Sequence, residues 1–268
     1  MLSTLNLEGA HVTWGASRLL DMRDCTRPEW ATINQTMKQL ETRLQPAWFR
    51  PFVKLNAVSR RLGYDHWSRL WEYPWAVLSA NLDGRLRILD IGSGGSAFPL
   101  YLAKQGHEVH SADPSLSDGT QWTDARKRMV HSLGIATAWG LPPRPQNGSV
   151  SVSYVPDSLQ QLRYADGYFD RVFCLSVMEH VPETDWPHCM AEMSRVLSDR
   201  GRLVLTLDMS TPAANAQQFR KLLVEPSLTL VGEIEYSVPI SLEDKQTRHP
   251  GHTYETVAII WDKTTSNS

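Results

Sequence analysis

Residues 87–115 read Arg87-Ile-Leu-Asp90-Ile-Gly92-Ser93-Gly94-Gly-Ser96-Ala-Phe-Pro-Leu-Tyr-Leu-Ala-Lys-Gln105-Gly-His-Glu108-Val-His-Ser-Ala112-Asp113-Pro114-Ser115. Ile88, Leu89 and Ile91 are apolar and β-favouring, which predicts a buried strand. Gly92 and Gly94 permit a tight turn with close backbone approach to a ligand, and Ser96 can cap a helix from Ala97 to Gln105. A second strand follows, Glu108 to Ala112, and Asp113 closes it where a carboxylate can accept both hydroxyl protons of a ribose. This is the layout of a nucleoside-binding βαβ unit. Asp90, two residues before the first glycine, sets it apart from related units, although a nicotinamide-type Gly-x-Gly-x-x-Ala also fits through Gly92, Gly94 and Ala97.

Landmarks farther along decide between the two. A third strand is expected over 149–155, ending at Pro156-Asp157-Ser158-Leu159, and a fourth over 171–176. Val177-Met-Glu179-His180-Val181-Pro182 follows as a turn. A helix carrying Met190, Met193, Val196 and Leu197 comes next, with a stop expected at Gly201, and a fifth strand over 203–207. The ordered set, over roughly residues 84–262, resembles the class I S-adenosylmethionine (SAM) dependent methyltransferases. Their first motif is an acid, any residue, then Gly-x-Gly-x-Gly. Ser96 stands at the third glycine.

The resemblance implies a Rossmann-like, doubly wound seven-stranded α/β sheet whose last strand is antiparallel, with Leu228 to Tyr236 and Glu255 to Trp261 as the final two strands. It implies SAM as cofactor. Asp113, with Pro114, would anchor the ribose, and the backbone from Asp90 through Gly92, Ser93, Gly94 and Ser96 would hold the methionine end. Asp157 or Ser158 would meet the adenine amino group and Leu159 would cover the ring. Leu175 and Ser176 would line the same site, while Arg69, Trp71 and Tyr73 would close over it, Arg69 offering a fork to the amino-acid carboxylate. Some quinone-pathway members place a further acid three residues before a Glu-His pair and use the set for a metal. Ser176 occupies that place here, and no metal is expected.

Ligands of open α/β sheets lie outside the carboxyl ends of the strands, which puts Glu179, His180, Asp208, Met209 and Ser210 at the site. The connection 237–254 would emerge on the same side and carries His249, His252 and Tyr254, a candidate lid or substrate wall. Histidine suits a general base because its ordinary pKa is about 6.5. His180, His249 and His252 are therefore the catalytic candidates, with His66 a further one. Glu179, Asp208, Trp71 and Tyr254 are the acceptor-side candidates.

Composition agrees with this scheme. With 268 residues and 41% hydrophobic content the chain can bury one large core, or one core and a small appendage. A net charge of −2 without a Lys/Arg run argues against nucleic acid or an anionic membrane as main partner. Cys25, Cys174 and Cys189 form neither a Cys-x-x-Cys pair nor an even framework, which points to a reducing, cytoplasmic setting. No signal segment or membrane-length apolar run is read. Six of the ten tryptophans lie within the first 83 residues, predicting a helical N-terminal cap over 1–83 ahead of a cofactor domain over 84–268. Trp67, Leu70, Trp71, Trp75 and Leu78 recur at helical spacing, with an interruption expected at Pro74. The favoured function is methyl transfer to O, N or C of a small molecule. A SAM-binding protein without methyl transfer and a nicotinamide oxidoreductase are the alternatives.

Overall fold

A computed structural model describes residues 17–44, 68–93, 96–114, 152–209, 224–232 and 255–264. The first described strand, β1, is the short Arg18–Leu19. Helix α1 spans Pro28–Leu44, α2 Arg69–Ser79, strand β2 Arg87–Ile91, helix α3 Phe98–Lys104 and strand β3 Glu108–Ala112. They are followed by β4 (Val152–Val155), β5 (Phe169–Leu175), helix α4 (Trp186–Val196), β6 (Leu197–Met209), β7 (Leu228–Leu230) and β8 (Glu255–Lys263).

The strands form one sheet in the order β1-β8-β6-β5-β2-β3-β4, and β7 also pairs with β8. β2, β3, β4, β5 and β6 run parallel, whereas β8 is antiparallel to β6 and to β7. The expected seven strands with a reversed last one are therefore present as β2–β8. β1 was not expected. It extends the sheet by pairing Arg18 with Ala258 and Leu19 with Val257.

Alternation along the strands divides the core in two. Leu203, Leu205 and Leu207 of β6 and Val257, Ile259 and Trp261 of β8 face the layer containing Met190, Met193 and Val196 of α4. Val204, Ala258 and Ile260 face the other way, with Ile88 and Phe173, against Trp30, Ile33 and Met37 of α1 and Trp71 and Trp75 of α2. The described N-terminal helices thus make up one layer of the sandwich, and the tryptophan-rich stretch forms part of its core.

Three local expectations are corrected. Pro74 does not interrupt α2, which is continuous around it. Proline offers no N–H to the carbonyl four residues earlier, Leu70, and that oxygen instead accepts from Asn34 Nδ2 of α1 at 2.8 Å. Ser96 does not cap α3; Ala97 holds the cap position without a side-chain bond, and the Ser96 hydroxyl bonds that of Tyr73. The helix before β6 ends at Val196, ahead of Gly201, and the left-handed residue near the start of β6 is Arg200, φ +61°.

Candidate functional site

β2 ends at Ile91, and Gly92 turns the chain with φ +69°, a region where only glycine is unstrained. A Cβ there would lie 2.3 Å from Val177 Cγ2, so the approach of this turn to the segment after β5 requires a bare backbone. The turn is held to β3 by Gly92 N–H donating to Ala112 O at 2.7 Å and by the paired hydroxyls of Ser93 and Ser111. Asp113 follows β3 at once, buried, with its N–H donating to Val155 O of β4 at 3.0 Å, and Pro114 comes next.

Asp90 is 2% exposed on the face that carries α2 and α3. Burial first, and then the nearby Asp113 carboxylate, push its carboxyl well above the ordinary range, opposed by the Arg69 charge. Among the described residues, Asp90 Oδ2 and Glu179 Oε2 are buried carboxyl oxygens with no hydrogen-bond partner. Unmet buried acceptors are rare and call for an explanation such as a ligand or water.

Across the carboxyl ends of β5 and β6 lies a residue the sequence reading passed over. Glu72 of α2 is fully buried, 0% exposed. Its Oε1 accepts from Thr206 Oγ1 at 2.7 Å and from Ser176 Oγ, while Oε2 accepts from Arg69 Nη1 at 2.9 Å. Arg69 Nη1 also reaches Leu175 O at 3.2 Å, and its guanidinium lies 5.6 Å from the Tyr73 ring centre. The signal for Glu72 was a lone acid three residues after an arginine, set among the aromatics of Trp71-Glu72-Tyr73-Pro74-Trp75. Ser176, where the metal-using acid would stand, holds φ +51° and is buried against this carboxylate.

The turn Met178–His180 is a single 3-10 turn, in which successive side chains point about 120° apart. Met178 enters the core, Glu179 is half-buried and His180 is exposed to solvent. His180 is therefore not enclosed with the acids, contrary to its candidacy as base. Burial lifts the Glu179 carboxyl to about 8; Asp208 and Glu72 add to the rise, while its own backbone amide and Arg69 oppose it. Asp208 accepts from Thr256 Oγ1 of β8 at 2.7 Å.

Other expected residues fall elsewhere. Trp71 is fully buried, stacked on Trp75 and donating its indole N–H to Asp24 at 3.0 Å, which makes it a packing residue between helices and not a site wall. Tyr73 stacks on Phe98 of α3 and burial raises its hydroxyl pKa. Asp157 binds Arg163 through both carboxylate oxygens, Ser158 sits in a bridge with Gln161, and Leu159 is buried in the α4-side core. Leu175 ends β5 beside Arg69, and Ser176 follows it. Gly94, His66, Ser210, His249, His252 and Tyr254 lie outside the described residues. Among the described residues no group of three or more His, Cys, Asp or Glu is placed to hold a metal ion, and no helix is long and apolar enough to cross a membrane.

A parallel sheet with a reversed strand inserted near its end, a glycine turn after the first core strand and an acid after the next defines the class I methyltransferase fold. A methyltransferase-domain family model matches residues 89–205. A ubiquinone biosynthesis O-methyltransferase of Xanthomonas oryzae pv. oryzae is 32% identical over 205 residues, covering 73% of this chain and 70% of the relative. A protein of the same description from Rhizobium etli is 31% identical over 137 residues, 51% of this chain and 47% of the relative, so the chain spans about half of that protein's length. The crystal structure of Burkholderia thailandensis 1,6-didemethyltoxoflavin-N1-methyltransferase, with 1,6-didemethyltoxoflavin and S-adenosylhomocysteine bound, shares the fold at a TM-score of 0.50, with 19% identity over 80% of this chain and 88% of that one. The chain belongs to the class I SAM-dependent methyltransferases.

Proposed function

We propose that this protein transfers the methyl group of SAM to an oxygen of a small-molecule acceptor. The observation that carries the reading is the edge formed by Gly92, Asp113 and Asp90. Gly92 has no room for a Cβ, Asp113 is buried at a strand end, and Asp90 Oδ2 has no described partner. These features fit a nucleoside cofactor. Asp113 would hold the ribose hydroxyls, the backbone of the Gly92 turn would hold the methionine end, and Arg69 would face the amino-acid carboxylate. The polar contact to adenine would come from Asp157 or Ser158, with Leu159 as the apolar cover.

Bound SAM supplies an electrophilic methyl, and the protein has to align the acceptor, exclude water and take up a proton. Glu179 is the described group best suited to the last task. Its carboxyl, raised to about 8, is half-buried, and one oxygen has no described partner. Oxygen as the methylated atom follows the O-methyltransferase relatives. The chain's near balance of charge, and three cysteines (Cys25, Cys174 and Cys189) that form no disulfide, support a metabolite acceptor in a cytoplasmic setting over a nucleic-acid or membrane partner. We also assign residues 84–268 to the cofactor domain and 1–83 to an acceptor-side cap, from which Arg69 reaches the cofactor.

The test is calorimetric titration of the full chain with S-adenosylhomocysteine and, separately, with NADH, repeated on Asp113→Ala. Binding of S-adenosylhomocysteine alone, weakened at least tenfold by the substitution, is expected. Binding of NADH alone would reassign the glycine turn to a dinucleotide.

A further inference from the structure

We propose that Glu72 is a positioning residue: it fixes the Arg69 guanidinium over the carboxyl ends of β5 and β6, so that the remaining donors of Arg69 engage the amino-acid end of the cofactor. This deepens the methyltransferase reading and rests on it. Both described Arg69 hydrogen bonds use Nη1, one to Glu72 Oε2 at 2.9 Å and one to Leu175 O at 3.2 Å. Nε and Nη2 are thereby left without a described hydrogen bond. Glu72 in turn cannot swing away, because its other oxygen is held by the hydroxyls of Thr206 on β6 and Ser176 after β5. A helix side chain is thus tied to two strand ends, and through it a second side chain is aimed.

The need for such a device is electrostatic. Arg69 interacts with the carboxylates of Asp208, Glu179 and Asp90 as well as with Glu72. An arginine free to turn among these acids would pair with whichever was ionised and direct its fork away from an incoming carboxylate. The fork geometry of arginine rewards a fixed orientation, since two parallel bonds to a carboxylate form only when both donors point the same way. With Oε2 of a fully buried Glu72 holding Nη1, that orientation is set before the ligand arrives.

A purely structural role predicts something different, and two ligands separate the cases. S-adenosylhomocysteine carries the amino-acid end, whereas 5′-methylthioadenosine shares the adenosine and the thioether but lacks that end. Calorimetry of the full chain with each ligand gives a ratio of affinities. Glu72→Gln is expected to lower that ratio about tenfold, by weakening S-adenosylhomocysteine and sparing methylthioadenosine. Arg69→Met should lower it by at least as much, and the double variant should lose little more than Arg69→Met alone.

An unchanged ratio in Glu72→Gln, or an equal loss of both ligands, overturns the proposal. If Arg69→Met lowers the ratio and Glu72→Gln does not, Arg69 holds the carboxylate unaided and only the role of Glu72 fails. If the native chain binds neither ligand, the methyltransferase reading fails with it. Should Glu72→Gln not fold, Thr206→Val decides. It removes one donor to Oε1 and keeps the carboxylate, so a two- to fivefold fall in the ratio supports the proposal and no fall overturns it.

Discussion

The two ends of α2 are both tied to the sheet, by opposite chemistry. At the C-terminal end, Arg202 Nη1 donates to Ser79 O at 2.8 Å, and Arg171 donates to Ala80 O at 2.6 Å and Asn81 O at 2.7 Å. These are the carbonyls a helix end leaves without partners, and cations beside them also oppose the helix dipole. Arg202 is further paired with Asp262 of β8 at 2.7 Å. At the N-terminal end the anchor is a buried carboxylate, Glu72, and around it lie Asp90 Oδ2 and Glu179 Oε2 without described partners. At one end the backbone carbonyls are met by arginines, although the Ser79 hydroxyl there is buried without a described partner. The other keeps carboxyl oxygens open at the edge where a ligand of this fold binds, and that asymmetry of charge separates anchoring from function along one helix.

Two glycines offer the strongest way to break the comparison. Gly92→Ala forces a Cβ to within 2.3 Å of Val177 Cγ2 at a left-handed backbone, whereas Gly201→Ala, at the opposite edge, meets Ser198 O and Leu197 Cδ1 at 2.7 Å. Overpacking of this kind costs about 1–3 kcal/mol, and the left-handed backbone of Gly92 adds about 1–2. Urea titration should find both variants destabilised, Gly92→Ala the more so. Only Gly92→Ala should also lose S-adenosylhomocysteine affinity, measured under conditions where it is folded. Equal binding losses at both edges would mean that the carboxyl edge has no special role.

A smaller effect is expected from Arg202→Met. It strips the Ser79 carbonyl and the Asp262 carboxylate of a partner, and orphaning a part-buried acceptor costs about 1–3 kcal/mol. Denaturant midpoints should fall accordingly while S-adenosylhomocysteine affinity stays within twofold. Asp113→Ala should reverse the pattern, with weakened binding and a midpoint close to native.

Much of the strand-and-turn frame at the carboxyl edge was legible because its signals are local. The strand Glu108–Ala112 has the expected bounds, Gly92 turns directly after β2, and Asp113 directly follows β3. What could not be read was contact between distant segments. Pro74 signals a break until Asn34, 40 residues earlier, takes up the carbonyl it frees. Trp71 reads from the sequence as an acceptor-side candidate, and its bond to Asp24 places it in the packing. Glu72 meets Thr206 across 134 residues, and no periodicity carries that information. His180 was favoured over Glu179 for its intrinsic pKa, yet the pitch of one 3-10 turn points it outward.

That last reversal gives the finest test of the open edge, through pH. A glutamate that titrates near 4.3 when unfolded and at about 8 when folded binds its proton more tightly in the native state. The stability it contributes is fully present below the unfolded value, declines as pH rises between the two, and is gone above about 8. Asp90, raised in the same direction, adds to the decline. Unfolding free energy from urea titrations should therefore fall from pH 5 to pH 8, and Glu179→Gln should flatten the fall by up to one proton, about 1.4 kcal/mol per pH unit at most. His180→Gln, changing an exposed side chain, should leave stability within about 0.5 kcal/mol. A slope that moved with His180 and not with Glu179 would place the titrating group on the solvent side of the turn, and the open edge would lose its proposed proton acceptor.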